Sequence, residues 1–416
     1  LDHRHDVAVI GAGMVGISTA IALARQGTDV VLIDRRAPGC ETSFGNAGVI
    51  QREGVHPYLF PRSLSKLFAY ALNRRTEAHY HLSSLPTVAP FLWRYFRASN
   101  PKSARRTYEA NIPLFTDCLD AHAELAAEAG AEELITKKGW IRVFRSDAAL
   151  RAVAGELADL EGIGLSASTP DAAALAKLEP HLKTDRLAGV VHYEDPWTCS
   201  DPGALTAAYA SLFERLGGRI VERTVTGLRR DGAGWCVETD GGPIAAGSTV
   251  IAAGPWSKAL LDPLGLKLPM GIKRGYHRHH APVGNGYLTR TIVDDDHGFV
   301  LAPMARGVRV TSGAEFARHN APPTPVQLDG AMPRARDLFD LGESVDEKAW
   351  MGARPVFPDM LPVMGEAPGL HGLWLNFGHG HQGFTLGPVA GRLVAAMMAD
   401  QSPDFDPAPY GAARFS

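Results

Sequence analysis

Apolar residues recur along this chain in two rhythms, and the changes of rhythm mark its elements. Val7-Ala8-Val9-Ile10 and Val30-Val31-Leu32-Ile33 are unbroken apolar runs rich in β-branched residues, the pattern of strands buried on both faces. Between them Ile17, Ala20, Ile21, Leu23 and Ala24 recur at helical spacing. Helices are predicted over 112–129, on Leu114, Phe115, Leu119, Ala123 and Ala126, and over 148–160; 139–145 alternates as a strand and 190–193 reads as a shorter one. Ser200-Asp201-Pro202 opens a helix with a capping residue and a first-turn proline, striped by Leu205, Tyr209, Leu212, Phe213 and Leu216 and stopped by Gly217-Gly218. Strands follow over 219–222, 235–238 and 249–254, then over 270–282 and 298–312, the last two assigned to a second sheet. A Pro-rich link at 321–325 leads into a helical segment reaching about Phe339. A strand over 373–377, a glycine loop and a helix over 387–398 return to the first domain.

The first two strands frame Gly11-Ala12-Gly13-Met14-Val15-Gly16, a G-x-G-x-x-G in the strand–turn–helix setting that gives the motif its meaning. Gly11 permits the tight turn, Gly13 lets backbone N–H groups approach a pyrophosphate, and Gly16 lets helix and strand pack closely. The second strand ends at Asp34, about 20 residues on, where a carboxylate accepts hydrogen bonds from ribose hydroxyls. An adenine dinucleotide is expected. Asp34 disfavours a 2′-phosphate, which would force like charges together, so Arg35 and Arg36 are read as solvated or adenine-facing.

Composition narrows the class. The 416 residues exceed a single core and suggest two domains. With 45% hydrophobic residues, 21% charged residues and a net charge of −3, the chain is an ordinary globular one with no reason to bind nucleic acid. Cys40, Cys118, Cys199 and Cys236 are scattered, which suits free thiols in a reducing compartment and no metal site. No signal-peptide h-region precedes the first strand and no apolar run reaches membrane-spanning length, so a cytoplasmic protein is expected, soluble or peripheral on the inner face of the cytoplasmic membrane. One stretch departs from the average. Residues 57–108 carry Arg62, Lys66, Arg74, Arg75, Arg94, Arg97, Lys102, Arg105 and Arg106 against the single acid Glu77, interleaved with aromatics, and Pro86 and Pro90 are expected to break any long helix there. Two readings fit: a contact with an anionic membrane, or a solvated helical surface.

Three predicted strands end in glycine-bearing loops: 11–16, Ala253-Gly254 and Gly378-His379-Gly380-His381-Gln382-Gly383. Strand-end loops of an open parallel sheet face one crevice. A dissociable nicotinamide needs one fingerprint; loops spread over the whole chain suit a cofactor enclosed along its length, which favours FAD over NAD.

The same stretches resemble the D-amino-acid-oxidase-type flavoprotein superfamily, most closely its bacterial D-amino acid dehydrogenase branch. The matching segments are 11–34, Glu41-Thr42-Ser43-Phe44-Gly45-Asn46-Ala47-Gly48, 139–145, 250–257, Trp350-Met351-Gly352-Ala353-Arg354-Pro355, 358–365 and Gly378-His379-Gly380, in family order over nearly the full length. The resemblance implies an α/β protein: a Rossmann-like FAD-binding domain with a central parallel sheet (1–56, 200–269, 346–416) and an α+β substrate domain on a mixed or antiparallel sheet (57–199, 270–345). It implies FAD with its pyrophosphate on Gly11, Gly13, Met14, Val15 and Gly16 and its ribose on Asp34 beside Arg35. Thr42, Ser43, Asn46, Ala47 and Gly48 would run beneath pyrophosphate and flavin. Val225 would meet adenine, and Ala253, Gly254 and Trp256 the cofactor's middle. Gly378, His379, Gly380, Gln382 and Gly383 would meet the flavin edge, near a helix N-terminus able to stabilise an anionic flavin. No cysteine stands just before Arg354, where covalent relatives attach flavin, so noncovalent FAD is expected.

For the substrate, the resemblance implies oxidative deamination of a small-molecule D-amino acid to the imino acid and 2-oxo acid by hydride transfer to flavin N5, with oxygen or a membrane quinone as electron acceptor. Arg354 would pair with the substrate carboxylate, for which a guanidinium is the best planar partner, and Tyr276 would help hold it. His379 or His277 would assist, although no base is obligatory for a neutral amine. His277, His279, His280, His379 and His381 cluster in sequence without a metal-site pattern. Trp197, in Asp195-Pro196-Trp197-Thr198-Cys199-Ser200, reads either as a selector of a ring-bearing substrate or as packing. The alternatives are oxidation of an N-substituted or cyclic amino acid (D-hydroxyproline, sarcosine-like or an opine) and a flavin-binding subunit of a larger dehydrogenase complex.

Overall fold

A computed structural model describes residues 3–73 and 76–415 of the chain. Strands Arg219–Glu222, Val30–Asp34, Arg4–Ile10, Ile244–Ile251 and Leu373–Phe377 run parallel, side by side in that order, within an eight-stranded sheet. Alternate side chains face opposite sides, and both sides are covered. Val9 and Leu32 join Ile17 and Ile21 of the helix Met14–Arg25 and Val389 and Leu393 of the helix Gly383–Met398. Ala8, Ile10, Val31 and Ile33 pack on the other side with Val237 and Ala246. Each large aliphatic buried here contributes about 1.5–3 kcal/mol, which is why these strands are apolar throughout. Because the five strands are parallel, the loops after Ile10, Asp34, Ile251 and Phe377 emerge along one edge.

The second domain is built on an eleven-stranded mixed sheet. Its spine is the twelve-residue strand Gly271–Pro282, antiparallel to Trp350–Val356 on one side and to Gly307–Thr311 and Ala314–Phe316 on the other. Ile141, Val143, Ile292, Leu301 and Val310 bury one face against Leu328, Ala331, Met332 and Ala335 of the helix Val326–Arg336. The opposite face looks towards the strand ends of the parallel sheet. The two expected architectures are both present.

Several local expectations differ. Pro90 lies inside the helix Leu85–Ala98. Pro86 falls in its first turn, where an N–H has no intrahelical partner, and Pro90 forfeits a single bond, while Val88, Phe91 and Tyr95 bury the helix. The segment 112–129 is two helices, Pro101–Thr116 and Cys118–Ala129, separated at Asp117. Cys118–Ala129 packs in the first domain's core: His122 bridges the Tyr209 hydroxyl (3.0 Å) and the Phe384 carbonyl (2.9 Å). Periodicity showed that this helix buries a face but not against what. By sheet membership, the return to the first domain falls between Val356 and Val363, later than 345/346, because Trp350–Val356 pairs with the spine of the mixed sheet. The last long helix begins at Gly383, ahead of 387, with Pro388 inside it.

Candidate active site

One continuous cavity of about 1060 Å³ runs from the strand ends of the parallel sheet to the open face of the mixed sheet. That exceeds the upper end of the usual range for ligand pockets and suits a long cofactor with a substrate beside it. At the fingerprint end Gly11 has φ +111°, the left-handed side of conformational space, and a Cβ there would press on the Ala252 carbonyl. Gly16 does not border the cavity; a Cβ on it would overlap the Gly11 carbonyl oxygen, so its part is helix-to-turn packing. Gly13, Met14 and Val15 do border it. The helix that starts at Met14 has no side-chain cap from Gly13, and the Met14 N–H donates to Ser43 Oγ at 3.0 Å. This is a helix N-terminus, the end whose dipole favours an anion, facing the cavity.

Asp34 accepts from the Ala12 N–H (2.6 Å) and the Arg36 N–H (3.2 Å), and burial pushes its carboxyl above the usual carboxylate range. Arg35 stacks on Trp256, 4.2 Å from the ring centroid, and pairs with Glu41 at 2.6 Å; all three line the cavity. Arg36 leans on the same Glu41, at 3.3 Å. Thr42, Ser43, Asn46, Ala47, Val225, Ala253 and Gly254 also line the wall. Thr42 donates to the Ala353 carbonyl (3.1 Å) and Asn46 to the His381 carbonyl (3.3 Å), tying the loop to the strand Trp350–Val356 and to the 378–383 loop. Gly48 stands outside the cavity, at φ +73° with its N–H on Asn46 Oδ1, pressed against the Cys199 carbonyl. Gly378, His379, Gly380, Gln382 and Gly383 close the far side below the second helix N-terminus. His379 Nε2 and Gln382 Oε1 are buried polar atoms without a hydrogen-bond partner among the described residues. A long cavity, two helix N-termini and unpaired polar atoms along one wall fit a flavin dinucleotide. No cysteine lines that wall.

At the other end Arg354 lies across Gly275, where any Cβ would strike the guanidinium. Its direct cross-strand partner is Lys273, two residues from Gly275 and on the same face. Both border the cavity, half-buried. Burial, then the neighbouring Arg354, holds the Lys273 ammonium down to about 7, and burial also lowers Arg354. Lys273 Nζ donates to Tyr95 Oη (3.2 Å), whose own hydroxyl is bonded to the Tyr58 carbonyl. Trp350 fills the space over Gly45 and Gly352 and stacks on His277 at 4.8 Å.

Tyr276, expected to help hold the carboxylate, borders the cavity, but parity sets its hydroxyl apart from the Arg354 face. Tyr276 is one residue from Gly275, so its ring turns to the opposite face, and it is 1% exposed. Its hydroxyl donates to Glu315 (2.7 Å) and accepts from Arg274 (2.8 Å) and the Thr324 N–H (2.9 Å), within a buried Arg274–Glu315 ion pair. His379 lines the cavity, and burial holds its ring down to about 3. His277 is likewise held to about 2 by burial and then by Arg309, packed behind Trp350. His279 and His280 bind Asp346 (2.7 Å) and the Gly342 carbonyl (3.1 Å), apart from the flavin loop. Trp197 is outside the cavity, in a small sheet with Val49–Ile50, under the Lys137 ammonium.

Two residues of the site escaped the sequence. Lys273 was detectable only once the register beside Arg354 was known. Arg309, 3% exposed, donates to the Phe44 carbonyl (2.9 Å) and the Asn46 carbonyl, bracing the cofactor loop from the second domain. In the basic stretch, Leu64, Phe68, Leu82 and Trp93 are more than half exposed, and Tyr58, Leu59 and Tyr70 reach the cavity mouth. Arg74 and Arg75, and the Lys66 side chain, lie outside the described residues. Among the described residues no helix is long and apolar enough to cross a membrane.

Residues 6–397 match the family model described as FAD dependent oxidoreductase. The chain is 32% identical over 420 residues to a D-amino-acid oxidase of Bradyrhizobium diazoefficiens, with 99% of both covered. It is 30% identical over 424 residues to a D-amino acid dehydrogenase of Cereibacter sphaeroides, covering 98% of this chain and 95% of that one. Glycine oxidase from Geobacillus kaustophilus shares the fold with a TM-score of 0.77 at 24% identity, 99% of both chains covered.

Proposed function

This chain belongs to the FAD-dependent oxidoreductase family, and on that premise we propose that it oxidises the Cα–N bond of a D-amino acid. The product is an imino acid, which water hydrolyses to a 2-oxo acid and ammonia. The observation that carries the reading is Arg354: a guanidinium in the cavity wall, beside the flavin loop, with no acidic partner among the described residues. A substrate carboxylate supplies that partner in two parallel bonds.

When bound, FAD supplies the hydride acceptor. The chain's residues do the rest. Gly11–Gly16, Ser43 and Asp34 would hold the dinucleotide, and the 378–383 loop its reactive edge. Arg354 fixes the carboxylate end, so that Cα is presented in one orientation. His379, kept neutral by burial, is suited to accept a hydrogen bond from the amine rather than to carry a proton. The amine reacts in its neutral form, having released its proton to solvent. Oxygen or a membrane quinone takes the electrons onward. The proposed setting is cytoplasmic, with the exposed apolar and basic surface of 57–108 resting on the inner membrane face; the side chains of Leu64, Phe68 and Trp93 support that contact.

Anaerobic mixing of the FAD-loaded protein with D-, L- and N-methyl amino acids tests the reading. Bleaching of the visible flavin band by D-amino acids is expected. Bleaching by N-substituted or cyclic ones alone would move the assignment to those substrates, and bleaching by none would leave a non-catalytic flavin subunit.

A further inference from the structure

Lys273 and Arg354 face each other across two antiparallel strands, on the face that lines the cavity. Like charges at directly opposed positions destabilise a sheet, and burial in a protein wall sharpens the cost. Ordinarily an acid offsets such a pair. Here Arg354 has no hydrogen bond or ion pair with any described residue, and among the described residues the hydrogen-bond partners of Lys273 Nζ are the Tyr95 hydroxyl (3.2 Å) and Met360 Sδ (3.9 Å). The acids that share the cavity are occupied or exposed to solvent. Asp295 pairs with Arg142 at 2.7 Å, Glu41 with Arg35 at 2.6 Å, and Asp34 with the Ala12 N–H; Glu77 is engaged as well, and Asp296 is exposed on a turn.

The ammonium of Lys273 is also held in place. It sits 4.4 Å from the Tyr95 ring centroid and donates to the Tyr95 hydroxyl, which the Tyr58 carbonyl anchors. An ammonium has three protons to donate, so capacity remains for a ligand. The absence of a side chain at Gly275 lets the guanidinium lie flat beside it. One α-carboxylate offsets one of the two cations. The other is left without an anion.

Building on the amino acid oxidation proposed above, we propose that the substrate carries two carboxylates: a D-amino dicarboxylic acid or an N-carboxyalkyl amino acid. Arg354 binds the α-carboxylate and Lys273 the second one. The lowered affinity of Lys273 for its proton, to about 7, follows from burial and from Arg354, and a bound second carboxylate reverses both influences.

The test compares isosteres on the FAD-loaded protein: D-glutamate against D-glutamine and D-aspartate against D-asparagine, with iminodiacetate and D-arginine alongside, followed by anaerobic bleaching. The acids are expected to exceed their amides at least about tenfold in kcat/KM, chiefly through KM. K273M should bring that ratio towards one, and K273R should keep most of it. If K273M does not retain FAD, wild-type titrations of the visible band with malonate and with acetate decide, malonate binding about tenfold tighter or more. Equal rates for acid and amide, D-arginine as the best substrate, an unchanged ratio in folded K273M, or equal affinity for malonate and acetate would each overturn the proposal while leaving amino acid oxidation standing. Bleaching by none of the D-, L- or N-substituted substrates would remove the underlying reading itself.

Discussion

The Nε–H of Arg309 donates to His279 Nε2 at 3.0 Å, deep in the second domain, while the far end of the same guanidinium holds two carbonyls of the cofactor loop. His279 is fixed in turn by Asp346, which accepts at 2.7 Å from both its backbone N–H and its Nδ1. The chain Asp346–His279–Arg309 therefore sets where Phe44 and Asn46 lie, and with them the loop expected to run beneath the flavin.

Removing that brace should loosen the cofactor more than it alters chemistry. Hydrogen bonds to charged groups contribute about 1.5–3 kcal/mol each, so Arg309→Met is expected to weaken FAD binding at least tenfold. Equilibrium dialysis or fluorescence titration of apoprotein with FAD reads this directly. Unchanged FAD affinity would show that the loop holds its shape without Arg309.

The buried histidines make stability depend on pH. Burial holds His122 to about 4, His277 to about 2 and His379 to about 3, all below the ordinary value near 6.5. A folded-state value below the unfolded one means the unfolded chain binds protons first. Their contribution is thus fully present above about pH 6.5 and falls as the pH drops towards the folded values. Each such proton steepens the loss by about 1.4 kcal/mol per pH unit. The melting temperature of the FAD-loaded protein should fall between pH 7 and pH 5. His122→Gln, which keeps a donor for the Phe384 carbonyl, should flatten that fall by one proton's worth. An identical pH slope in the variant would contradict the assignment.

Tyr276 and Arg354 should separate cleanly by substitution. Tyr276→Phe removes a hydroxyl with three partners, leaving Glu315, Arg274 and the Thr324 N–H short of one bond each, at a cost of about 1–3 kcal/mol in stability. Its KM should stay near that of the parent. Arg354→Lys should instead raise KM about tenfold or more, because an ammonium cannot reproduce two parallel bonds, with FAD content intact. Steady-state kinetics beside thermal melts test both, and a large KM rise in Tyr276→Phe would return that residue to the substrate.

What the sequence carried, and what it hid, follows from the range of each interaction. The fingerprint, Asp34 and the three strand-end loops were legible because local backbone demands write themselves into neighbouring residues: Gly11 needs its positive φ whatever lies across the sheet. The place of Arg354 in the cavity wall was legible through the motif around it. Lys273, Arg309 and the true orientation of Tyr276 depend on the register of Gly271–Pro282 against strands more than 25 residues away in sequence. A one-residue shift there exchanges the two faces, and the resemblance behind the Tyr276 expectation carries no register. The helix Cys118–Ala129 shows the same limit, since its stripe fits either domain's core equally well.

The surface of 57–108 gives a prediction of another kind. Leu64 is 83% exposed, Phe68 67% and Trp93 60%, with Arg94 and Arg97 exposed beside Trp93. Apolar side chains with basic neighbours favour an anionic bilayer, at roughly 1 kcal/mol per charge near the surface. The protein should co-sediment with phosphatidylserine-containing vesicles, and a Leu64→Ser, Phe68→Ser, Trp93→Ser triple variant should not. Failure of the parent to bind such vesicles would leave this surface merely solvated.

The fingerprint glycines should fail in different ways. A Cβ on Gly16 would overlap the Gly11 carbonyl oxygen, a backbone atom that cannot move without reshaping the turn. A Cβ on Gly13 would meet only the Ser43 hydroxyl, at 3.2 Å, and that side chain can rotate. Gly16→Ala is therefore expected to destabilise the apoprotein itself, by the 1–3 kcal/mol typical of overpacking, approximately. Gly13→Ala should melt within a few degrees of the parent apoprotein. It should nevertheless bind FAD much more weakly, because the new methyl group stands on the cavity wall at the Met14 helix N-terminus, the end proposed to hold the pyrophosphate. Circular-dichroism melts of both apoproteins, paired with FAD titrations, distinguish the two effects. Equal apoprotein stability for the two variants would mean that the turn yields at Gly16, and that close packing there is not what the third glycine provides.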